Sequence, residues 1–171
     1  VDTPLDLLKG IKNGLGGTVN DAVLTTVALA LGRFLRRRGF ETDGLVLKVL
    51  VPVSVRATDQ RGALGNQVSA MWAPLPMDED DPRACFERIH TEMGDLKESG
   101  QAVGAEVLTG MADFAPPTIF SQAARLQARQ RFFNLVVTNV PGPQIPLYLL
   151  GRRMLAIHPV VPLTPTTGLG I

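Results

Sequence analysis

Few residues in this chain are suited to acid–base, nucleophilic or metal chemistry. There are two histidines, His90 and His158, and one cysteine, Cys85. An imidazole acts as a general base when it titrates near neutrality within hydrogen-bond reach of the proton it takes. His90 falls in an acidic helix turn and reads as a solvated surface histidine. His158 precedes Pro159, has no Ser, Cys or Asp at a recognisable motif spacing, and reads as a plain hydrogen-bonded side chain. Cys85 lies beside the apolar face of its helix, which suits a core residue better than a nucleophile. No Gly-x-Ser-x-Gly elbow, phosphate-binding loop, Gly-x-Gly-x-x-Gly turn or Cys-x-x-Cys pair appears. These residues make no complete catalytic constellation.

Other polar residues stand in places that ordinary surface chemistry explains less well. Asn20-Asp21 opens a long apolar helix, where Asp21 suits capping and the helix dipole but Asn20, a weak helix former, does not. Ser54 and Arg56 alternate with Val53 and Val55, so one strand face carries both polar groups, as a solvent face or as a groove wall. Gly65-Asn66 starts the next strand, where such a pair accommodates positive φ. In the stretch NLVVTNVPGPQIP, a buried-looking strand stops at Thr138-Asn139 and leaves through Val140-Pro141-Gly142-Pro143. Arg33 and Arg36, Arg37 and Arg38 end the long helix, where cations complement free carbonyls.

The elements that must position these residues follow from periodicity and punctuation. Thr3-Pro4-Leu5-Asp6 predicts a capped helix ending near Asn13-Gly14. Thr18 to Asp21 predicts a second cap and a helix with Val19, Val23, Val27, Leu31, Phe34 and Leu35 on one face, stopped by Gly39. Leu45 to Arg56 reads as a strand with a kink or free edge at Pro52, and the segment from Gly65 as another. Asp81-Pro82 starts a helix with Phe86, Ile89, Met93 and Leu96 on one face, ending at Gly100. Helices are expected around Ala102–Phe114 and Pro117–Arg131, then the strand at Leu135, a hairpin about Gly151-Arg152 and a last strand over Gly168–Ile171. The order is that of an α/β layered half-domain with a mixed sheet.

Bulk properties bound the function. With 171 residues and 45% hydrophobic content, the chain suits one domain or one half of a pseudo-symmetric fold. Seventeen basic against sixteen acidic residues lack the basic excess that phosphate binding needs, so nucleic acid is not an expected partner. A single cysteine excludes an internal disulfide and suits a reducing compartment. No apolar run of roughly 18 or more residues appears. The start at Val-Asp-Thr-Pro and the end inside an apparent strand give the expectation of a fragment, cut at both ends.

Taken together, TVNDAVLTTVALALGRFLRRRG, VPVSVR, GNQVSAMWAPLP, NLVVTNVPGP and PLYLLGRRMLAIHPVVPLTPTTGLGI resemble, in order and over nearly the whole chain, the C-terminal half of one family. It is the bacterial wax ester synthase/acyl-CoA:diacylglycerol acyltransferases. The resemblance implies a chloramphenicol acetyltransferase-like fold, two α/β halves meeting along a tunnel. Residues 1–171 would be the C-terminal half-domain, without the N-terminal catalytic half and the last strands. Acyl-CoA would enter one mouth as co-substrate, with no cofactor bound permanently, and diacylglycerol or a long-chain alcohol the other. The second His of a His-His-x-x-x-Asp-Gly motif would deprotonate the alcohol, and that motif is absent here. No catalytic residue is therefore assigned within this chain. By motif, Asn20, Asp21, Gly65, Asn66, Thr138, Asn139, Pro141 and Gly142 take a tunnel-lining or half-to-half contact role, with Ser54 and Arg56 as further candidates. The expected setting is cytoplasmic, peripheral to the inner membrane surface or to lipid droplets, with the N-terminal half as partner.

Two other classes compete. One is a non-catalytic lipid- or membrane-surface module, suggested by the Arg33–Arg38 cluster and the apolar segment from Ile145 to Leu150. The other is a condensation-type domain taking acyl or peptidyl groups from a carrier protein, which the full motif set fits less well.

Overall fold

A nine-residue strand, β1 (Val46–Ser54), pairs along its whole length with the antiparallel β2 (Val68–Pro76), Val46 opposite Pro76 and Ser54 opposite Val68. The computed structural model describes residues 3–54, 68–99, 133–140, 142, 145–161, 163 and 167–171. The expected helices over 102–114 and 117–131, and the candidates Arg56, Gly65, Asn66 and Pro141, lie outside the described residues.

On its other side β1 takes the short parallel strand β3 (Leu135–Val136), which in turn pairs in parallel with β6 (Leu169–Gly170). The sheet order is β2-β1-β3-β6, a mixed sheet as the sequence suggests. Backbone parity explains how Pro52 is tolerated inside β1. Lys48 and Leu50 turn their backbone groups towards β3, accepting from Asn134 N at 2.7 Å and Val137 N at 3.0 Å. Pro52 is next on that side, beyond the end of β3 pairing at Val136, so its missing donor faces no ladder. The locally free edge read from the sequence is thus real, although β1 lies inside the sheet.

Among the described residues three helices accompany the sheet. Helix α1 (Leu5–Leu15) has Pro4 at its N-cap position without any side-chain cap, and ends one turn residue later than expected. Gly16 stops it in the left-handed region at φ 79°, its N–H bonded to Lys12 O. Helix α2 (Val19–Arg37) begins with the expected capping box, Thr18 with Asp21. Helix α3 (Pro82–Glu98) is capped by Asp81, whose Oδ1 accepts from Ala84 N at 2.8 Å, with Pro82 in the first turn.

The core lies between one face of β1–β2 and helices α2 and α3. Val49, Val51, Met71, Ala73 and Leu75 alternate into it, met by Leu24, Val27 and Ala28 and by Cys85, Ile89 and Met93. Phe86, Ile89 and Met93 are buried as their spacing predicts. In α2 the expected face holds for Val27, which is buried, and for Val23, Leu31 and Leu35, which pack against the core, and is corrected at Phe34. The buried residues of α2 are Asp21, Ala22, Leu24, Thr25, Val27, Ala28 and Gly32, whereas Phe34 is exposed. A stripe of small residues lets α2 lie close to the sheet, and a search for large apolar side chains misplaces part of such a face.

Cys85 is fully buried, as expected of a core residue. Burial first, and then the nearby Glu79 carboxylate, push its thiol up to about 11 from the ordinary 9.0. Two units leave about a hundredfold less thiolate at a given pH. Alkylation by iodoacetamide at pH 8 is therefore expected to be at least that much slower in the native chain than in urea. Equal rates would show that Cys85 is not held in the core.

Candidate functional site

The candidate residues that are described fall into two places. The first is the edge of the sheet where the parallel strands β1, β3 and β6 end. Ligands of open α/β sheets gather at such carboxyl edges, where side chains leave the ladder but the backbone stays fixed.

Strand β3 is locked at both ends. At its start, Asn134 grips Lys48 twice, its N–H donating to Lys48 O and its Oδ1 accepting from Lys48 N at 2.8 Å. Asn134 O also accepts from Gly168 N at 2.9 Å, which ties β6 to the same point. Leu135, Val136 and Val137 are all buried, so both faces of this strand are covered. At its end, Thr138 donates to Ile171 O twice, from its N–H at 2.8 Å and from Oγ1 at 3.2 Å, and Ile171 N donates to Val136 O. Thr138 thus closes the ladder between β3 and β6.

Asn139 is the first residue beyond that clamp, exposed, with no hydrogen bond among the described residues; Val140 is exposed as well. Gly142 is also exposed. Ser54 ends β1 at the same edge, its backbone opposite Val68. The arrangement presents an amide side chain from a backbone fixed on two sides. Sequence inspection singled out Thr138 and Asn139 but missed Asn134, whose role needs the partner strand to be known.

The second place is the seam between α2 and α3. Asp21 is only 1% exposed. Its Oδ2 accepts from Thr18 N at 2.8 Å and meets His90 Nδ1 at 2.8 Å, while Oδ1 has no partner among the described residues. The His90 side chain, 47% exposed, lies stacked against Phe86, with ring centroids 6.2 Å apart. The expectation of a freely solvated His90 is therefore corrected: four-residue spacing along α3 hid a partner 69 positions away. The approach is close enough that a Cβ on Gly17 would meet the Phe86 ring at 2.6 Å and Asp21 Oδ2 at 2.9 Å. Asn20, beside Asp21, is half-buried, and its side chain has no hydrogen bond among the described residues.

Neither place is a complete active site. The helix-layer group positions α2 against α3, and the strand-end group offers Asn139. Among the described residues no set of three His, Cys, Asp or Glu side chains could hold a metal ion. The expected arginine cluster is also reduced: Arg36 donates to Met77 O at 2.7 Å and Thr42 Oγ1 at 3.0 Å and pairs with Asp80. It staples the end of α2 to the exit of β2, leaving Arg33, Arg37 and Arg38 exposed.

Comparison with known proteins agrees with this architecture. The chain is 34% identical over 148 residues to a protein of Mycobacterium tuberculosis H37Rv named as a diacylglycerol O-acyltransferase, tgs1, covering 85% of this chain and 32% of that protein. A second relative from the same strain, named as diacylglycerol O-acyltransferase Rv1760, is 34% identical over 176 residues, 99% of this chain and 35% of its own length. The wax ester synthase/diacylglycerol acyltransferase from Marinobacter aquaeolei VT8 superposes with a TM-score of 0.57 at 25% identity, over 87% of this chain and 32% of that one. The chain thus spans about a third of the length of the relatives it matches. Residues 64–171 match the model of the WS/DGAT C-terminal domain, and with that the chain belongs to the wax ester synthase/diacylglycerol acyltransferase family.

Proposed function

We propose that the chain is the C-terminal part of an O-acyltransferase that moves a fatty acyl group from acyl-CoA to diacylglycerol or a long-chain alcohol. The match over residues 64–171 carries this reading, with relatives named as diacylglycerol O-acyltransferases and a structural neighbour named for both acceptors. In this reading residues 1–171 form one of two α/β halves of a chloramphenicol acetyltransferase-like fold. Acyl-CoA is a co-substrate, and no cofactor is held permanently. The general base is the second histidine of the family's His-His-x-x-x-Asp-Gly motif, which these 171 residues do not contain.

The part left to this chain is positioning. The alcohol oxygen attacks the thioester carbon, the carbonyl oxygen gains charge, and coenzyme A leaves as the thiol. Holding two bulky substrates in line for that attack supplies a large share of any such acceleration. The clamp of Thr138 onto Ile171 fixes the backbone just before Asn139, which supports a tunnel-lining or half-to-half contact role for Thr138 and Asn139. Asn20, Asp21, Ser54, Arg56, Gly65, Asn66, Pro141 and Gly142 share the tunnel or interface role as second candidates. The site of action is cytoplasmic, beside a membrane or lipid-droplet surface.

The test is acyl transfer from labelled palmitoyl-CoA to dioleoylglycerol or hexadecanol. A complete polypeptide carrying this chain forms triacylglycerol or wax ester, and the 171-residue chain alone forms neither. Turnover by the chain alone would overturn the division of labour. In the complete enzyme, Asn139→Ala is expected to lower kcat/KM at least about tenfold. Its melting temperature should hardly move, because surface changes without partners stay within about 0.5 kcal/mol. Unchanged activity would remove Asn139 from the site.

A further inference from the structure

We propose that the hairpin of β4 (Tyr148–Leu149) and β5 (Arg152–Arg153) is an anchor for an anionic lipid surface. Its tip inserts leucines among acyl chains while two arginines meet the headgroup phosphates. The proposal stands on the hairpin alone and does not depend on the acyl-transfer reading.

The tip is built at a cost that folding does not explain. The hairpin pairs Tyr148 with Arg153 and Leu149 with Arg152, and Met154 N donates to Leu147 O at 2.8 Å beyond it. Its turn residues, Leu150 at φ 49° and Gly151 at φ 75°, both lie in the left-handed region. Two-residue turns of this hand favour Asn, Asp or Gly, and a leucine there is disfavoured by its Cβ. Leu150 is nevertheless 96% exposed, the only non-glycine residue with positive φ among those described. It therefore gains nothing from the core and strains the turn that holds it.

Its surroundings repeat the pattern. Leu149 and Tyr148 beside it are largely exposed, as are Ile145, Leu155, Ile157 and Val160 along the flanks. Exposed apolar patches of this extent are uncommon on isolated soluble domains and mark interaction surfaces. Below the tip lies an open groove of about 240 Å³ between residues 145–147 and 153–157, whose side chains are apolar apart from Arg153 and whose surface is about half polar.

Charge selects the occupant. From Phe114 to Ile171 the sequence contains no Asp or Glu, so nothing acidic near in sequence neutralises Arg152 and Arg153. Both are exposed, and neither has an ion pair among the described residues. Leu150 at the tip, the Leu149–Arg152 pair behind it and the Tyr148–Arg153 pair behind that follow the depth order of an interface: leucines towards the acyl region, then a ring at the boundary and long cationic side chains that reach back to the phosphates. A protein partner would have to supply acids facing Arg152 and Arg153 as well as a pocket for Leu150. A sheet of anionic lipid supplies both at once.

Vesicle co-flotation of the 171-residue chain tests this directly. The chain is expected to float with vesicles of phosphatidylcholine and phosphatidylglycerol at 7:3 in 50 mM salt. It should float far less with pure phosphatidylcholine, and less again in 1 M salt, where the Debye length shrinks to about 3 Å. Leu149→Ser with Leu150→Ser is expected to weaken binding at least about tenfold, because each removes several buried methylenes. Arg152→Gln with Arg153→Gln should weaken it about 25-fold, near fivefold for each charge. All four side chains are exposed, so circular dichroism should match the parent. A second exposed basic cluster among the described residues is the end of α2, and Arg37→Gln with Arg38→Gln should leave binding within about twofold. A parent chain that stays at the bottom overturns the proposal and assigns the hairpin to a protein surface. So does binding that ignores the leucine pair, or that is lost with Arg37 and Arg38 instead. Acyl transfer, measured with short soluble substrates, would be unaffected by either result.

Discussion

Asp21→Ala is expected to destabilise the chain by about 2 kcal/mol, and Asp21→Asn by about half as much. One oxygen, Oδ2, serves both the Thr18 N–H and His90 Nδ1. Removing it leaves the Thr18 amide, in a part-buried setting, without its acceptor, and takes the negative charge from the first turn of α2. Lost caps typically cost about 1 kcal/mol, and lost hydrogen bonds to a charged group about 1.5–3 kcal/mol. Two factors hold the total down. His90 is half-exposed, so water replaces most of what its ring loses. Oδ1 is buried without a partner among the described residues, so its removal recovers some desolvation. Asparagine keeps an oxygen at the Oδ2 position but loses the charge and places its NH2 at the buried, partnerless Oδ1 position, so it recovers only about half of the loss. Urea melts of the three proteins decide it. Equal stability of Asp21→Ala and the parent would mean that Asp21 is buried for a reason other than joining α2 to α3.

That result bears on function because the Asn20-Asp21 pair had been assigned to tunnel or interface. The geometry gives Asp21 a complete structural role inside this half: it caps α2 and binds α3. Asn20 has no such role among the described residues, and of the two it is the better candidate for contact with substrate or a partner half. A matched pair of substitutions separates them: stability should move with Asp21 and activity with Asn20.

How much of this was legible in the sequence depends on the range of each interaction. Caps are local, so Thr18, Asp81 and Pro82 announced α2 and α3 correctly. β-branched runs bounded by glycine and proline are local too, and β1 and β2 were found as strands. The edge at Pro52 was readable because proline removes a donor whatever surrounds it. Cross-chain partners were not legible. His90 looked solvated because Asp21 is 69 residues away, and Asn134 looked like a strand boundary because its acceptor and donor are both on Lys48. For the site, the end of β3 was legible through its prolines, while its clamp by Ile171 required the position of β6. Arg56, Gly65, Asn66 and Pro141 lie outside the described residues, so their part rests on the motif resemblance.

The same substitution made at two glycines is expected to have opposite signs, and this separates helix propensity from packing. Gly10, inside α1, has nothing within 4 Å of an added Cβ. Gly10→Ala should therefore stabilise, by up to about 1 kcal/mol, the usual difference between the two residues in a helix interior. Gly32 is equally helical but buried, and a Cβ there would sit 2.7 Å from the backbone oxygen of Met77. That carbonyl cannot swing aside as a side-chain tip would. It also accepts from Arg36 Nη1, itself 3.3 Å from the same Cβ, so the methyl would press on both partners of one hydrogen bond. Forcing a methylene into such a contact costs about 1–3 kcal/mol, sometimes more, against which the propensity gain is small. Gly32→Ala is thus expected to destabilise by about 2 kcal/mol, read as a lower urea midpoint at unchanged slope. It should also loosen the Arg36 staple between α2 and the exit of β2. If both variants gained stability, propensity alone would govern α2, and the close approach that placed its small residues against the sheet would be wrong.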